Sequence, residues 1–128
     1  DLGTTHSLIG KYTEHGSTLF PNALGAFLTP SVVSVDGDNV LVGQAARDRL
    51  VTHPEHTVAA FKRWMGTSRE TRLGGRAFRP EELSALVLRS LVADAEAALG
   101  ERVTEAVISV PAYFSSPICS DSIVSMSM

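Results

Sequence analysis

The stretch RPEELSALVLRSLVADAEAALGERVTEAVISVP, residues 79–111, decides the class of fold. It predicts a helix over residues 79–101, because Pro80 suits a first helical turn, acidic residues follow it, and Gly100 is a typical stop. The apolar residues of one face are Leu83, Leu86, Val87, Leu91, Ala95 and Leu99. The largely apolar run at 103–111 then predicts a buried strand. A long helix that leads into a buried strand is typical of a sheet covered by helices, so the predicted class is α/β.

The chain before this helix predicts short strands and turns. Two hairpins are expected, the first from HSLIGKY (6–12) and TLF (18–20), the second from PSVVSV (30–35) and VLVG (40–43). A short helix should begin at Gln44 and stop before Pro54. Val58, Phe61 and Met65 then recur at a helical spacing, which predicts a second helix. The glycine- and charge-rich stretch GTSRETRLGGRAF predicts a loop with a short exposed hairpin.

Composition narrows the classes of function. The 128 residues suit one domain or a piece of a larger one, and the net charge of −3 comes without a basic cluster, so we expect no nucleic-acid partner. Apolar runs are far shorter than a membrane span and no signal peptide is recognisable, so we expect no membrane partner. The single cysteine, Cys119, fits a cytoplasmic location and is expected to be neither catalytic nor a metal ligand. The three-residue spacing of His53 and His56 does not predict a zinc site.

The segment DLGTT (1–5) contains the first candidate site residues. Gly3 would let backbone amides approach a phosphate closely, Thr4 and Thr5 would add hydroxyl donors, and Asp1 could hold a hydrated magnesium ion. Taken alone, these residues favour a simpler alternative, a hairpin end in which Asp1 bonds its own backbone. The Walker pattern of P-loop proteins is absent from the sequence.

Lys62, in AAFKRWMG, is the second candidate. It adjoins the apolar positions of the predicted second helix, so a neighbouring element could hold it and aim it at a γ-phosphate. Periodicity alone favours a solvated helix lysine beside Arg63. The third candidate, Pro111 in SVPAYF, follows the predicted buried strand, where a proline is most simply a strand stop.

Together these segments resemble one family. DLGTT-S, PNALG-FLTPSVVSVD, VLVGQAARDRLVTHPE-TVAAFKRWMGT, FRPEELSALVLRSL and VTEAVISVPAYF are similar to the amino-terminal part of the nucleotide-binding domain of the seventy-kilodalton heat-shock chaperones. Within that family, the sequence is most similar to the bacterial HscC-like branch of the DnaK-related proteins. The resemblance covers residues 1–114 without a large gap, and the order of several motifs makes it more specific than any one of them.

The resemblance implies an actin-like ATPase (ribonuclease H-like) fold, in which two lobes enclose a nucleotide cleft. Residues 1–114 would form a partial nucleotide-binding domain: an incomplete first lobe of β-hairpins, a mixed sheet and packed helices, with an outer subdomain at roughly 27–78. The parent protein would bind ATP or ADP with Mg²⁺ and hydrolyse ATP to drive the binding and release of unfolded polypeptides. A J-domain co-chaperone and a nucleotide exchange factor are the further partners that the resemblance implies.

The resemblance also implies roles for individual residues. Asp1 would contact magnesium through a water molecule. Lys62 would be the catalytic lysine, which positions the attacking water and stabilises charge on the γ-phosphate. Pro111 would be the proline switch that relays the nucleotide state towards the substrate-binding domain. The first phosphate loop would comprise Gly3, Thr4, Thr5 and His6.

Three departures from the family pattern modify these expectations. His6 stands where the family often has Asn, the first half of the opening strand is missing before Asp1, and the divergent tail SSPICSDSIVSMSM (115–128) replaces the helix start that follows Phe114 in the family. We expect that tail to be at best a short frayed helix. The second phosphate loop and the second-lobe adenosine site have no counterpart, so we expect a fragment that is inactive alone.

Two alternatives remain open from the sequence. The chain could be an inactive truncated relic of such a chaperone, or part of another actin-like ATPase such as a sugar kinase or a filament protein. The run TPSVVSVD…VLVGQAA argues against the second alternative, because it is similar to the outer subdomain of the chaperones.

Overall fold

The computed structural model describes residues 1–109 and 123–127. The chain begins with short strands that pair as hairpins. A hairpin joins β2 to β3, and its turn ends at Gly16, whose φ of 108° favours glycine. Strand β1 pairs antiparallel with β4, which brings His6 opposite Pro30. The bounds of these strands are His6–Ser7 (β1), Gly10–Thr13 (β2), Gly16–Leu19 (β3) and Thr29–Pro30 (β4).

A three-stranded antiparallel sheet is the centre of the next part of the chain. Strand β5 (Val32–Asp36) lies between β6 (Asn39–Val42) and β7 (Thr57–Ala59). Its residues from Val32 to Val35 are buried, as expected for a β-branched run that is covered on both faces. The short helices α1 (Gln44–Arg47) and α2 (Arg49–Thr52) follow β6, where the sequence predicts a helix.

The predicted second helix through Val58, Phe61 and Met65 is wrong. Val58 lies in β7, which pairs with β5 in the register Val33↔Val58, and Phe61 begins a 3₁₀ turn, Phe61–Trp64. The three- and four-residue spacing therefore arises by chance, because the residues belong to separate elements. The β-branched residues of β7 fit the edge of the sheet, and this tertiary pairing prevails over a local pattern that is too short to fix a helix.

Two further predictions need correction. The strand expected at 6–12 is two strands, because β1 pairs with β4 and only β2 forms the hairpin with β3, and the strand expected to be buried at 103–111 has an exposed Val107 (66%).

The hairpin expected after residue 66 is formed by β8 (Thr71–Leu73) and β9 (Arg76–Phe78), but it is exposed only in part, because Leu73 and Phe78 belong to the core. The long helix α3 spans Pro80–Leu99, as predicted. At the start of α3 the Glu82 carboxylate accepts a hydrogen bond from the Arg79 amide at 3.2 Å, and Gly100 ends the helix with a φ of 72°. The core joins one face of α3 to the sheet; its most buried members include Val33, Phe61, Leu73, Leu83 and Val87.

The last described elements are β10 (Glu105–Ser109) and β11 (Ile123–Ser127), an antiparallel pair in which Glu105 lies opposite Ser127. The expectation of at best a short helix in the tail is therefore wrong for residues 123–127. Pro111 and Cys119 lie outside the described residues, so their predicted roles stay predictions. The described strands all pair antiparallel, and within residues 1–109 and 123–127 no helix is long and apolar enough to cross a membrane.

The packing of α3 gives a test of the core. Leu83 is fully buried in the cluster between α3 and the sheet, so Leu83→Ala should lower the free energy of unfolding by about 2–5 kcal/mol through lost burial and a residual cavity. Chemical denaturation of the purified chain measures this loss. The control is Val51→Ala, at a side chain that is 88% exposed, which should change stability by less than about 0.5 kcal/mol. Equal effects of the two substitutions would contradict this position of the core.

Candidate functional site

The first eight residues form a narrow hairpin whose tip is residues 3–6. Leu2 and Ser7 form an isolated antiparallel bridge, and Asp1 and Leu8 exchange two main-chain hydrogen bonds of 2.8 and 3.0 Å. The base of the hairpin is therefore fixed by four paired residues. This part of the prediction from DLGTT, a hairpin end, describes the backbone correctly.

Gly3 is required by the tightness of the tip. A Cβ atom at this position would collide with the carbonyl oxygen of His6, and that oxygen belongs to the backbone and cannot swing away. The close approach curls residues 3–6 back on themselves. A curled segment of this kind can point successive backbone amides towards one side, which is how backbone concavities bind anions.

Two buried serines hold the tip, and the sequence analysis missed both. Ser7 is 0% exposed and accepts a hydrogen bond from the Gly3 amide at 3.3 Å; its hydroxyl lies 2.8 Å from that of Ser31, which is 2% exposed. Ser31 also donates to the Gly3 carbonyl at 2.8 Å. A sequence signal existed for Ser31, because it is a polar residue at the start of the buried run PSVVSV.

Lys62 is buried, contrary to the solvated lysine that periodicity favoured. The 3₁₀ turn Phe61–Trp64 inserts Phe61 into the core, and Lys62 beside it is only 2% exposed. Its Nζ atom has no hydrogen-bond partner among the residues that the structure describes. Burial lowers the pKa of Lys62 from 10.5 to about 8, because an ammonium loses hydration there without gaining a counter-charge.

The residue before the turn adopts an unusual backbone conformation. Ala60 has φ 54° and ψ 27°, in the left-handed region, and it is the one residue other than glycine with positive φ in the described part of the chain. This conformation costs an alanine on the order of 1 kcal/mol. It redirects the chain from β7 into the turn, so that Phe61 and Lys62 both point inward.

Lys62 lies within electrostatic range of the main-chain nitrogen of Asp1. The pKa of the Asp1 α-amino group is lowered, first by burial and second by the positive charge of Lys62. The base of the hairpin and the buried lysine are therefore neighbours, although 61 positions separate them in the sequence. The predicted site residues Asp1, Lys62 and the tip at 3–6 belong to one region of the fold.

The described residues contain no group of three or more His, Cys, Asp or Glu side chains that could hold a metal ion. Among the predicted site residues, Asp1 at the base of the hairpin is the one that carries a carboxylate. Mg²⁺ is commonly bound by one or two carboxylates together with water and substrate phosphate oxygens. The donor set here thus fits a magnesium ion that is brought in with phosphate, and does not fit an ion held by protein side chains alone.

A cavity of about 420 Å³ adjoins the base of the hairpin, with Asp1 and Leu8 in its lining. Apolar residues of α3, including Leu88, Leu91 and Val92, form part of its wall, and residues of β2 and β10 form another part. Its described lining includes Asp1 but neither the hairpin tip nor Lys62. The cavity therefore touches the cluster of predicted site residues only at Asp1.

These features define an α/β protein of small antiparallel sheets packed on one long helix, with a tight hairpin beside a buried lysine. Two overlapping stretches, residues 1–73 and 67–117, match the model of the Hsp70 protein family. The chain therefore belongs to the Hsp70 family, as the resemblance predicted. The family has an actin-like ATPase fold, and the mixed α/β architecture is consistent with that fold. Its members are nucleotide-binding chaperones, which generally work with unfolded clients and co-chaperones.

The buried lysine predicts a measurable pH dependence. At pH 7 the folded chain must keep a proton on a buried amine, so Lys62→Met should raise the free energy of unfolding, on the order of 2 kcal/mol. The unfolded chain retains this proton up to its ordinary pKa of 10.5, whereas the folded chain releases it near 8. The stability of the wild type should therefore rise relative to Lys62→Met between pH 8 and 10.5. Denaturation at several pH values measures the difference.

Lys11 provides the control for this experiment, because it is an exposed lysine on β2. Lys11→Met should leave the pH dependence of the wild type unchanged. A Lys62→Met chain that is less stable than the wild type at pH 7, or a difference that stays constant from pH 7 to 11, would contradict the burial of an unpaired ammonium.

Proposed function

We propose that this chain forms the phosphate-binding part of the ATPase domain of an Hsp70-type chaperone. The observation that carries the proposal is the Lys62 ammonium, buried and without a partner among the described residues. An unpaired buried charge costs several kcal/mol, and natural proteins rarely keep one without a compensating ligand. A phosphate oxygen would supply the missing negative charge and hydrogen-bond acceptor.

The hairpin tip would bind the same nucleotide from the other side. Residues 3–6 curl into a turn that Gly3 makes possible, and Thr4, Thr5 and His6 complete the proposed phosphate loop. Asp1, at the base of the hairpin, would hold a water of the magnesium ion that accompanies ATP. That ion would supply charge neutralisation on the phosphate oxygens.

In this proposal Lys62 acts on the transition state of hydrolysis. A water oxygen attacks the γ-phosphorus, the bond from that phosphorus to the bridging oxygen of the leaving ADP breaks, and negative charge shifts onto the oxygens around the reaction centre. A cation fixed in advance, in a position from which water is largely excluded, stabilises that charge without reorganising during the reaction. The burial of Lys62 and its anchoring beside Phe61 support this role.

The remaining parts of the proposal come from family membership. We propose that hydrolysis drives binding and release of unfolded polypeptides, that a J-domain co-chaperone and a nucleotide exchange factor act on the protein, and that it works in the cytoplasm. Pro111 is proposed as the switch that transmits the nucleotide state, since it lies two positions after the end of β10 in the sequence.

Substitution of the lysine tests the proposal. In the complete ATPase domain that carries this segment, Lys62→Ala should lower the rate of ATP hydrolysis about a hundredfold or more, the scale of one lost electrostatic contact in the transition state. ATP affinity should change much less, because the adenosine contacts are made elsewhere. Single-turnover hydrolysis and equilibrium binding of ATP measure the two effects separately.

Lys11→Ala is the matched control, since it removes an exposed lysine of the β2–β3 hairpin and should leave both measurements unchanged. Hydrolysis by the Lys62→Ala protein at the rate of the wild type would refute the catalytic role and leave Lys62 as a buried structural residue.

A further inference from the structure

Ser31 connects the hairpin tip to the rest of the molecule at three points. Its hydroxyl donates to the Gly3 carbonyl at 2.8 Å and lies 2.8 Å from the Ser7 hydroxyl. Its main-chain amide donates to the Thr5 carbonyl at 2.9 Å. Ser31 is only 2% exposed, so water cannot readily replace these bonds.

The hydrogen bonds around Gly3 form a closed circuit with one direction. Ser31 has a single hydroxyl proton, which it gives to the Gly3 carbonyl, so Ser7 must donate in the bond between the two serines. Ser7 in turn accepts from the Gly3 amide. The circuit therefore runs from the Gly3 amide through Ser7 and Ser31 back to the Gly3 carbonyl, and bonds arranged in this way strengthen one another.

The same residue leads directly to the strand system that carries Lys62. Ser31 precedes β5, and β5 pairs with β7 in the register Val32↔Ala59. The chain leaves β7 through Ala60 and enters the turn that contains Lys62. The hairpin tip is therefore connected with the buried lysine through Ser31, the paired strands β5 and β7, and the turn that follows β7.

We propose that Ser31 is a positioning residue of the phosphate site, which fixes the tip at residues 3–6 relative to Lys62. In this arrangement Gly3 contributes to the site by allowing the tight turn, because its amide is bonded to Ser7 and its carbonyl to Ser31. The inference rests on the proposed function, since a fixed distance between tip and lysine matters only if one phosphate chain contacts both. Displacement of a catalytic group by about 1 Å can cost up to a hundredfold in rate.

The test compares two buried serines, Ser31 directly before β5 and Ser34 within it. In the complete ATPase domain, Ser31→Ala should lower the single-turnover rate of ATP hydrolysis 10- to 100-fold and change ATP affinity less than about threefold. Ser34→Ala is the control, because Ser34 is 0% exposed and its hydroxyl bonds Thr57 and Arg49 at 2.8 Å, away from the hairpin circuit. It should cost a similar amount of stability while the rate stays within about twofold of wild type.

A second pair of variants tests the circuit itself. Ser7→Ala should lower the rate as Ser31→Ala does, and the double variant should be little slower than either single one, because both serines act in one circuit. Ser7→Ala also serves if Ser31→Ala does not fold. In folded Ser7→Ala or Ser31→Ala protein, amide hydrogen exchange should accelerate at residues 3–6 and remain unchanged in α3.

The outcomes separate this inference from the proposed function. If Lys62→Ala slows hydrolysis but Ser31→Ala and Ser7→Ala remain within twofold of wild type, or slow it no more than Ser34→Ala does, the positioning role of Ser31 is overturned. Fully additive losses in the double variant would overturn the circuit. If Lys62→Ala itself hydrolyses ATP normally, it is the proposed function that fails.

Discussion

The pairing of β5 with β7 is the constraint on which the rest of the site depends. It aligns Val33 with Val58 and Val32 with Ala59, and so determines where the chain must turn after β7. The turn inserts Phe61 into the core and leaves Lys62 buried beside it. At the same end of β5, Ser31 directly precedes Val32 and bonds the hairpin tip. A one-residue slip of this register would reverse which side chains of β7 face the core, and the lysine would lose its position.

Much of the fold could be predicted from the sequence because its signals are local. Helix α3 has a proline and acids at its start, an apolar face and a terminal glycine, and these agree with one another over 20 residues. The β8–β9 hairpin has Gly74 and Gly75 at its turn, with φ values of 57° and 85°. The prediction of a second helix failed because it rested on only three apolar residues. The pairing of Thr57–Ala59 with β5 determined the structure there.

Only part of the candidate site could be predicted from the sequence. The glycine of the tip is a local requirement, so DLGTT predicts a tight hairpin without knowledge of distant contacts. The burial of Lys62 depends on β5, β7 and the core around Phe61, none of which a helical spacing reveals. Ser7 and Ser31 are 24 positions apart, and their hydroxyls meet only because β1 pairs with β4. For Lys62, the family resemblance supplied the interpretation that the residues alone did not favour.

Two unfavourable features lie within three residues of one another, and their proximity is informative. Ala60 occupies a left-handed conformation that alanine disfavours, and Lys62 carries a charge into the protein without a partner among the described residues. A sequence optimised only for stability would place glycine at the first position and an apolar side chain at the second. Natural proteins tolerate such local conflicts mainly where function requires them. The proposed function accounts for both features, because a phosphate site needs a cation fixed beside the hairpin even where holding it lowers the stability of residues 60–62.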